Sequence, residues 1–169
     1  PHIPEDAHVS LLRQLRESWH LETEECAHVL EWAARLHEVG MLLTYNQYHK
    51  HGAYILQHAD LPGFSQDDQT WLAALVRYHR RSFPEDAFAH LPHDIAPLAR
   101  RLCVLLRLAV VLNRARTRQP LPAVTLRGPQ QRMELQFPAG WLDGHPLTRA
   151  DLEKEGRFLR KAGLRLEFN

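Results

Sequence analysis

His37 and Glu38 stand side by side near the end of an apolar run, "AARLHEVG" at 33–40, where a histidine–acid pair can open a metal site. Imidazole nitrogen and carboxylate oxygen both bind transition metals. A hydrolytic centre needs several such donors converging on one point, with a position left for water. Two more histidines continue the pattern, His51 in "QYHKHGAYILQHAD" and His79 in "LAALVRYHRR". Each lies on or beside the apolar face of its own helical stretch, so His37, Glu38, His51 and His79 form a candidate metal set. The same three imidazoles also suit a metal-free core, bonded to backbone and to one another. Both readings stand on the residues alone.

A second set points to anion chemistry. "VRYHRR" places Arg77, His79, Arg80 and Arg81 at a helix end just before Pro84, and Arg100, Arg107 and Arg114 recur at seven-residue intervals. Seven residues is nearly two helical turns, so the last three form a stripe with steps of ~10.5 Å. Guanidinium forks match phosphate oxygens bidentately. These seven side chains are the candidate phosphate-binding residues. The competing reading is a packed helix showing its arginines to water. Cations around His79 would lower its pKa and keep it neutral at pH 7. No catalytic residue is assigned. No two of the eight glycines lie close enough for a phosphate loop. Glu22, Glu24 and Glu25 crowd a helix start, which suits dipole pairing better than catalysis.

The elements that must position these groups are helical over the first ~118 residues. "HVSLLRQLRESW" places Val9, Leu12, Leu15 and Trp19 at helical spacing behind Pro4, Glu5 and Asp6. "TEECAHVLEWAARLHEVG" repeats the pattern, with Gly40 as a left-handed terminator. His51, Ile55 and His58 share a face of the next stretch, which "LPG" stops. Ser65 and Asp68 then supply a capping signature for a helix presenting Leu72, Leu75, Val76 and His79. "DIAPLARRLCVLLRLAVVLNRAR" is the most apolar stretch and the expected central helix. At "QPLP", 119–122, the period changes. "AVTLR" and "RMELQF" alternate around "GPQQ" as a hairpin, Thr148 and Asp151 cap a helix to about Ala162, and "LRLEF" alternates again. The expected architecture is mainly α: a helical bundle over 1–118, then a small β-β-α-β domain over 119–169. The latter is too small for a large core and should dock on the helices.

Composition limits the alternatives. With 44% hydrophobic residues the chain can bury an ordinary core. A net charge of +1 lends no support to nucleic-acid or membrane binding. Cys26 and Cys103 lie in apolar helical patterns, form no CxxC pair and suit a reducing, cytoplasmic compartment. No run reaches the ~18 apolar residues of a membrane span and no signal peptide opens the chain. It starts at Pro1 rather than Met, which reads as a piece of something longer.

The order of His37-Glu38, His51 and His79 resembles the HD phosphohydrolase superfamily over roughly residues 25–115. That family carries a His-Asp pair, two further histidines and a late aspartate around its metals. Two ligands depart from it here. Glu38 replaces the aspartate of the pair, and "LRLAV" puts Val110 where the late aspartate belongs. A lengthened acid shifts its oxygens by about a bond length, whereas metal–oxygen distances tolerate only about 0.2 Å. The implied reading is an HD-shaped pocket that has lost its ligands.

Longer strings sharpen the resemblance. "WAARLHEVG", "HKHGAYILQHADLPGFSQDDQ", "LAALVRYHRR", "LRLAVVLNRAR" and "ADLEKEGRFLRKAGLRLEF" are similar, in order, to the C-terminal half of the exopolyphosphatase / guanosine pentaphosphate phosphohydrolase family. What the resemblance implies is an accessory region without the actin-like catalytic domains. Those domains would hold the magnesium and the catalytic glutamate, with no cofactor in the present chain. The parent would hydrolyse terminal phosphate of polyphosphate or pppGpp, and this region would bind polyanion, form a homodimer, or both. The alternative is a divergent HD-type phosphohydrolase active on its own.

Overall fold

The computed structural model describes residues 6–114, 121–127 and 132–169. Six helices, α1 (Ala7–Leu15), α2 (Glu24–Leu36), α3 (Tyr48–His58), α4 (Gln66–Arg77), α5 (Ala96–Arg114) and α6 (Pro146–Lys161), accompany strands β1 (Ala123–Arg127), β2 (Arg132–Gln136) and β3 (Arg165–Phe168). The architecture is mainly α with a C-terminal β-β-α-β unit, as the change of period predicts. The helical expectation over 115–118 and the "GPQQ" connection lie outside the described residues. Among the described residues no helix is long and apolar enough to cross a membrane.

Helix α5 is the axis of the bundle. Its residues from Ala99 to Leu112 are buried almost all round, and α1, α2, α4 and α6 all pack against it. Thr23 and Ser65 start their helices as capping residues should. The Thr23 hydroxyl accepts from the Cys26 amide at 3.3 Å, and the Ser65 hydroxyl accepts from the Asp68 amide at 3.0 Å. The expected cap at Thr148 is different. Helix α6 begins at Pro146, whose missing N–H is no loss at a first turn, and Thr148 is buried within it. The buried face of α1 is Ala7, His8, Ser10, Leu11 and Leu15; Val9 is exposed instead. Period-3.6 spacing fixes a stripe only to within a residue, and the packing against α5 selects which stripe goes inward.

Sheet order is β1-β2-β3, antiparallel between the first two and parallel between the last two, with α6 as the crossover. Gln14 on α1 joins this sheet to the bundle. Its Nε2 donates to the Pro122 carbonyl at 3.2 Å and its Oε1 accepts from the Val124 amide at 2.9 Å. Met133, Leu135, Leu152 and Leu159 merge into the same hydrophobic cluster as α5.

Gly40 is required for a reason the sequence does not reveal. It is not among the glycines with positive φ, which are Gly63, Gly140 and Gly163. A 3-10 turn, Val39–Leu42, crosses the start of α3, and a Cβ on Gly40 would lie 1.9 Å from the Tyr48 carbonyl oxygen and 2.5 Å from the Gly52 nitrogen. Both are backbone atoms and cannot yield cheaply. Gly40→Ala should destabilise the protein by about 3 kcal/mol or more, whereas Gly144→Ala, which meets nothing within 4 Å, should be close to neutral. Urea midpoints of the two variants check this.

Candidate functional site

The end of α4 and the facing surfaces of α5 and α6 enclose a polar cavity of about 260 Å³. It is lined by Tyr45, His79, Arg80, Arg81, Arg107, Val110, Val111, Arg114, Asp151, Lys154, Glu155 and Phe158. Of the seven candidate phosphate-binding residues, five therefore meet: His79, Arg80, Arg81, Arg107 and Arg114. Arg77 faces away into a groove between α3 and α4, and Arg100 lies against Phe83 and donates to the Glu85 carbonyl at 3.0 Å. The arginine stripe is thus not continuous.

Arg107 corrects the reading of the stripe most clearly. Its side chain is fully buried and spans the gap to α6, where Nε donates to Glu155 Oε1 at 2.5 Å and Nη2 to Oε2 at 3.4 Å. Nη1 donates to the Tyr78 carbonyl at 2.5 Å, and Nη2 also donates to the Arg81 carbonyl at 2.7 Å. The rings of Phe83 and Phe158 flank the guanidinium at 5.2 and 5.3 Å. Arg107 is a staple, not an open cation. Arg81 has φ 65, the left-handed region disfavoured for any side chain with a Cβ. The bond from Arg107 to its carbonyl helps hold that conformation, which turns the chain and separates Arg80 and Arg81 from Arg77.

Glu155 and Lys154 carry no motif that marks them in the sequence, and Asp151, expected only as a helix cap, also lines the cavity. A signal for Glu155 existed. Thr148, Leu152, Glu155 and Leu159 all lie on the buried seam of α6, so an acid occupies a core position, and "LLRLAVVL" places an arginine inside the most apolar run. Two charges buried in separate helices call for each other. Around that neutral pair the cavity presents Arg80, Arg81, Arg114 and Lys154 against one remaining carboxylate, Asp151.

Behind the cavity lie three imidazoles, and they are not the expected three. His49, not His51, is buried. Two residues turn a helix by about 200°, so when Gly52, Ala53 and Leu56 bring His49 inward, His51 is carried to the other side. Ring centroids separate His37 from His79 by 5.1 Å and His49 from His79 by 6.5 Å. The Nδ1 of His37 and of His79 meet the carbonyls of Ala34 (2.7 Å) and Val76 (2.5 Å), which makes each Nδ1 a donor. Glu38 is largely exposed and its oxygen stands 3.6 Å from His37 Nε2, too far for a hydrogen bond. Val110 contributes an aliphatic wall to the cavity. Among the described residues no three His, Cys, Asp or Glu side chains converge as a metal site. His51 is half-buried on a different side of α3 from His49, and His37, Glu38, His51 and His79 do not converge on one point among the described residues.

Burial holds His49 and His79 neutral. The His79 imidazole is pushed down to about 3, chiefly by desolvation; the Val76 carbonyl opposes this, and His37, His49 and Arg107 add to it. The sequence expectation had the direction right but assigned it to the wrong cause, since burial outweighs the cations. His49 is lowered to about 4, again first by desolvation and then by Arg80. Arg80 itself lies over the Tyr48 ring at 4.4 Å.

A family model, "Ppx/GppA phosphatase, domain III", matches residues 5–156. The chain belongs to that family, as the resemblance of its sequence implied. Among curated relatives, the guanosine-5'-triphosphate,3'-diphosphate pyrophosphatase of Pseudoalteromonas translucida is 35% identical over 161 residues, covering 95% of this chain and 32% of that protein. The protein of the same name from Aeromonas hydrophila subsp. hydrophila is 32% identical over 158 residues, covering 94% of this chain and 32% of the relative. The chain spans about a third of the length of these relatives.

Two predictions follow from this geometry. Removing one partner of the buried pair, as in Glu155→Ala, should cost about 3–5 kcal/mol, and the apolar double replacement Arg107→Met with Glu155→Leu should recover most of it; urea denaturation compares the three. The second concerns pH. His49 and His79 regain an ordinary pKa of about 6.5 on unfolding, so their contribution is complete above that pH and declines as pH falls towards the folded values of about 4 and about 3. At pH 5 unfolding should take up about two protons from these residues, and about one in His79→Leu. The pH slope of the unfolding free energy measures the number.

Proposed function

We propose that this chain is an accessory, polyanion-holding region of a larger phosphohydrolase of the exopolyphosphatase type, and that the cavity at the end of α4 grips a phosphate chain. The observation that carries this reading is the convergence of Arg80, Arg81, Arg114 and Lys154 on one cavity with a single uncommitted carboxylate. None of the four has an ion-pair partner among the described residues. Charge-assisted hydrogen bonds to such cations contribute ~1.5–3 kcal/mol each. The parent would use magnesium in its catalytic domains to cut terminal phosphate from polyphosphate or pppGpp. The chain's likeness to two proteins named guanosine-5'-triphosphate,3'-diphosphate pyrophosphatase favours that assignment. The alternative of an independent metal phosphohydrolase loses support because His51 does not join His37 and His79 and a valine stands at 110.

A second role as a homodimer contact has its own support. The turn after α2 exposes Leu42 (82%), Leu43 (65%) and Tyr45 (71%) side by side. Apolar patches of this kind are typical of contact surfaces. Sedimentation of the wild type against Leu42→Ser with Leu43→Ser should show a dimer in the first and a monomer in the second.

For the cavity, labelled polyphosphate should bind the chain at low salt and lose most of its affinity between about 0.05 and 0.3 M salt, because exposed cations are screened. Arg81→Ala with Arg114→Ala should weaken binding by about tenfold or more, while Arg100→Ala should change it little. Equal affinity at both salt concentrations would count against an electrostatic grip.

A further inference from the structure

Arg77 leaves the cavity just described and enters a separate groove on the opposite side of α4. The seam between α3 and α4 opens there into a depression of about 310 Å³. Its floor is small because Ala53, Ala73 and Ala74 meet across the seam, each nearly fully buried. Its lining includes Lys50, Arg77, His58 and His90 and contains no carboxylate. That is unusual in a chain with 20 acidic residues against 21 basic ones. Neither Lys50 nor Arg77 has an ion-pair partner among the described residues. Tyr54 is 67% exposed beside them, and its ring lies 4.5 Å from that of His58 at a 48° tilt. An exposed tyrosine braced by an imidazole presents a flat face to solvent and has lost little freedom still to lose on binding.

The spacing along α3 gives the groove a direction. Lys50, Tyr54 and His58 lie four residues apart on one face, so each step is about 6 Å. Arg77, at the end of the antiparallel α4, joins Lys50 at one end, and Thr70, near its start, joins Gln57 at the other. Gln57 donates to the Thr70 hydroxyl at 3.2 Å, leaving its carbonyl and remaining N–H for a ligand edge. Cations at one end, an aromatic face in the middle and an amide at the far end match phosphate, base face and base edge in that order. Stacking of bases on aromatic rings beside cations is how proteins hold nucleotides without a fixed sequence.

We infer that the α3–α4 groove is a mononucleotide-binding site, separate from the phosphate-chain cavity, in which Lys50 and Arg77 take the phosphate and Tyr54, backed by His58, takes the base. The ligand class is a single nucleoside phosphate, because one ring and one pair of cations fill the length of the groove.

Amide chemical shifts followed by NMR during titration with AMP, CMP, adenosine and inorganic pyrophosphate test this. AMP should saturate and shift residues 50–58 and 73–77, CMP more weakly, and adenosine much more weakly than AMP. Tyr54→Ala should weaken AMP by about tenfold and leave pyrophosphate unchanged at this groove. Lys50→Ala with Arg77→Ala should remove both. Arg81→Ala with Arg114→Ala should leave AMP binding here intact, which separates this site from the cavity. The inference is overturned if AMP fails to saturate, if Tyr54→Ala has no effect, or if the shifts map to residues 79–81 and 151–158. Binding of a short single-stranded oligonucleotide a hundredfold tighter than AMP would also overturn it, in favour of a nucleic-acid surface.

Discussion

The buried contact between Arg107 and Glu155 is the constraint on which the placement of the cationic surfaces depends. A guanidinium taken out of water is tolerated only when nearly all its N–H groups are bonded. Here a carboxylate from α6 and two carbonyls from the segment after α4 bond it, with an aromatic ring on each side. One side chain thereby fixes three elements: the central helix, the crossover helix of the C-terminal unit, and the turn carrying Arg80 and Arg81. Such a pair adds little net stability over an apolar replacement. Its effect is geometric, because the carbonyls of Tyr78 and Arg81 must point at α5 for the charge to be satisfied. The chain after Arg77 is therefore bent into a conformation that a residue with a Cβ would not otherwise choose.

That bend divides one basic run between two surfaces. Arg77, at the last turn of α4, stays with the helix and faces α3. Arg80 and Arg81, beyond the helix end, turn to the α5–α6 side and meet Arg114 and Lys154. Each surface is cationic, and they differ in what accompanies the charge. The cavity has a neutral ion pair, the aliphatic Val110 and Val111 and the rings of Tyr45 and Phe158, whereas the groove has Tyr54 beside His58 and the Gln57 amide.

Between them lies the inner histidine cluster. Close backbone approach of Gly40 to Tyr48 and Gly52 draws the 3-10 turn onto α3 and sets the rotation that turns His49 inward. Desolvation then keeps His49 and His79 uncharged beside Arg80 and Arg107. Neutral imidazoles beside arginines avoid the repulsion that charged ones would add. A carboxylate in place of the aliphatic Val110 would offset the cations that line the cavity.

Much of this was legible in the residues. Helical period, the Thr23 and Ser65 caps, the apolar run of α5 and the shift to alternation at 119–122 report local preferences, and local preferences act within a few residues of themselves. The basic run at 77–81 was legible as chemistry for the same reason. What tertiary structure decided was rotation and partnership. Whether His49 or His51 faces inward depends on a glycine contact with another segment. Whether Arg107 is a surface cation or a buried staple depends on Glu155, 48 residues away in the chain. Whether Arg77 joins Arg81 depends on a bend imposed from α5. Spacing along one helix defines which side chains share a face, but the direction of that face is set only when another element packs against it.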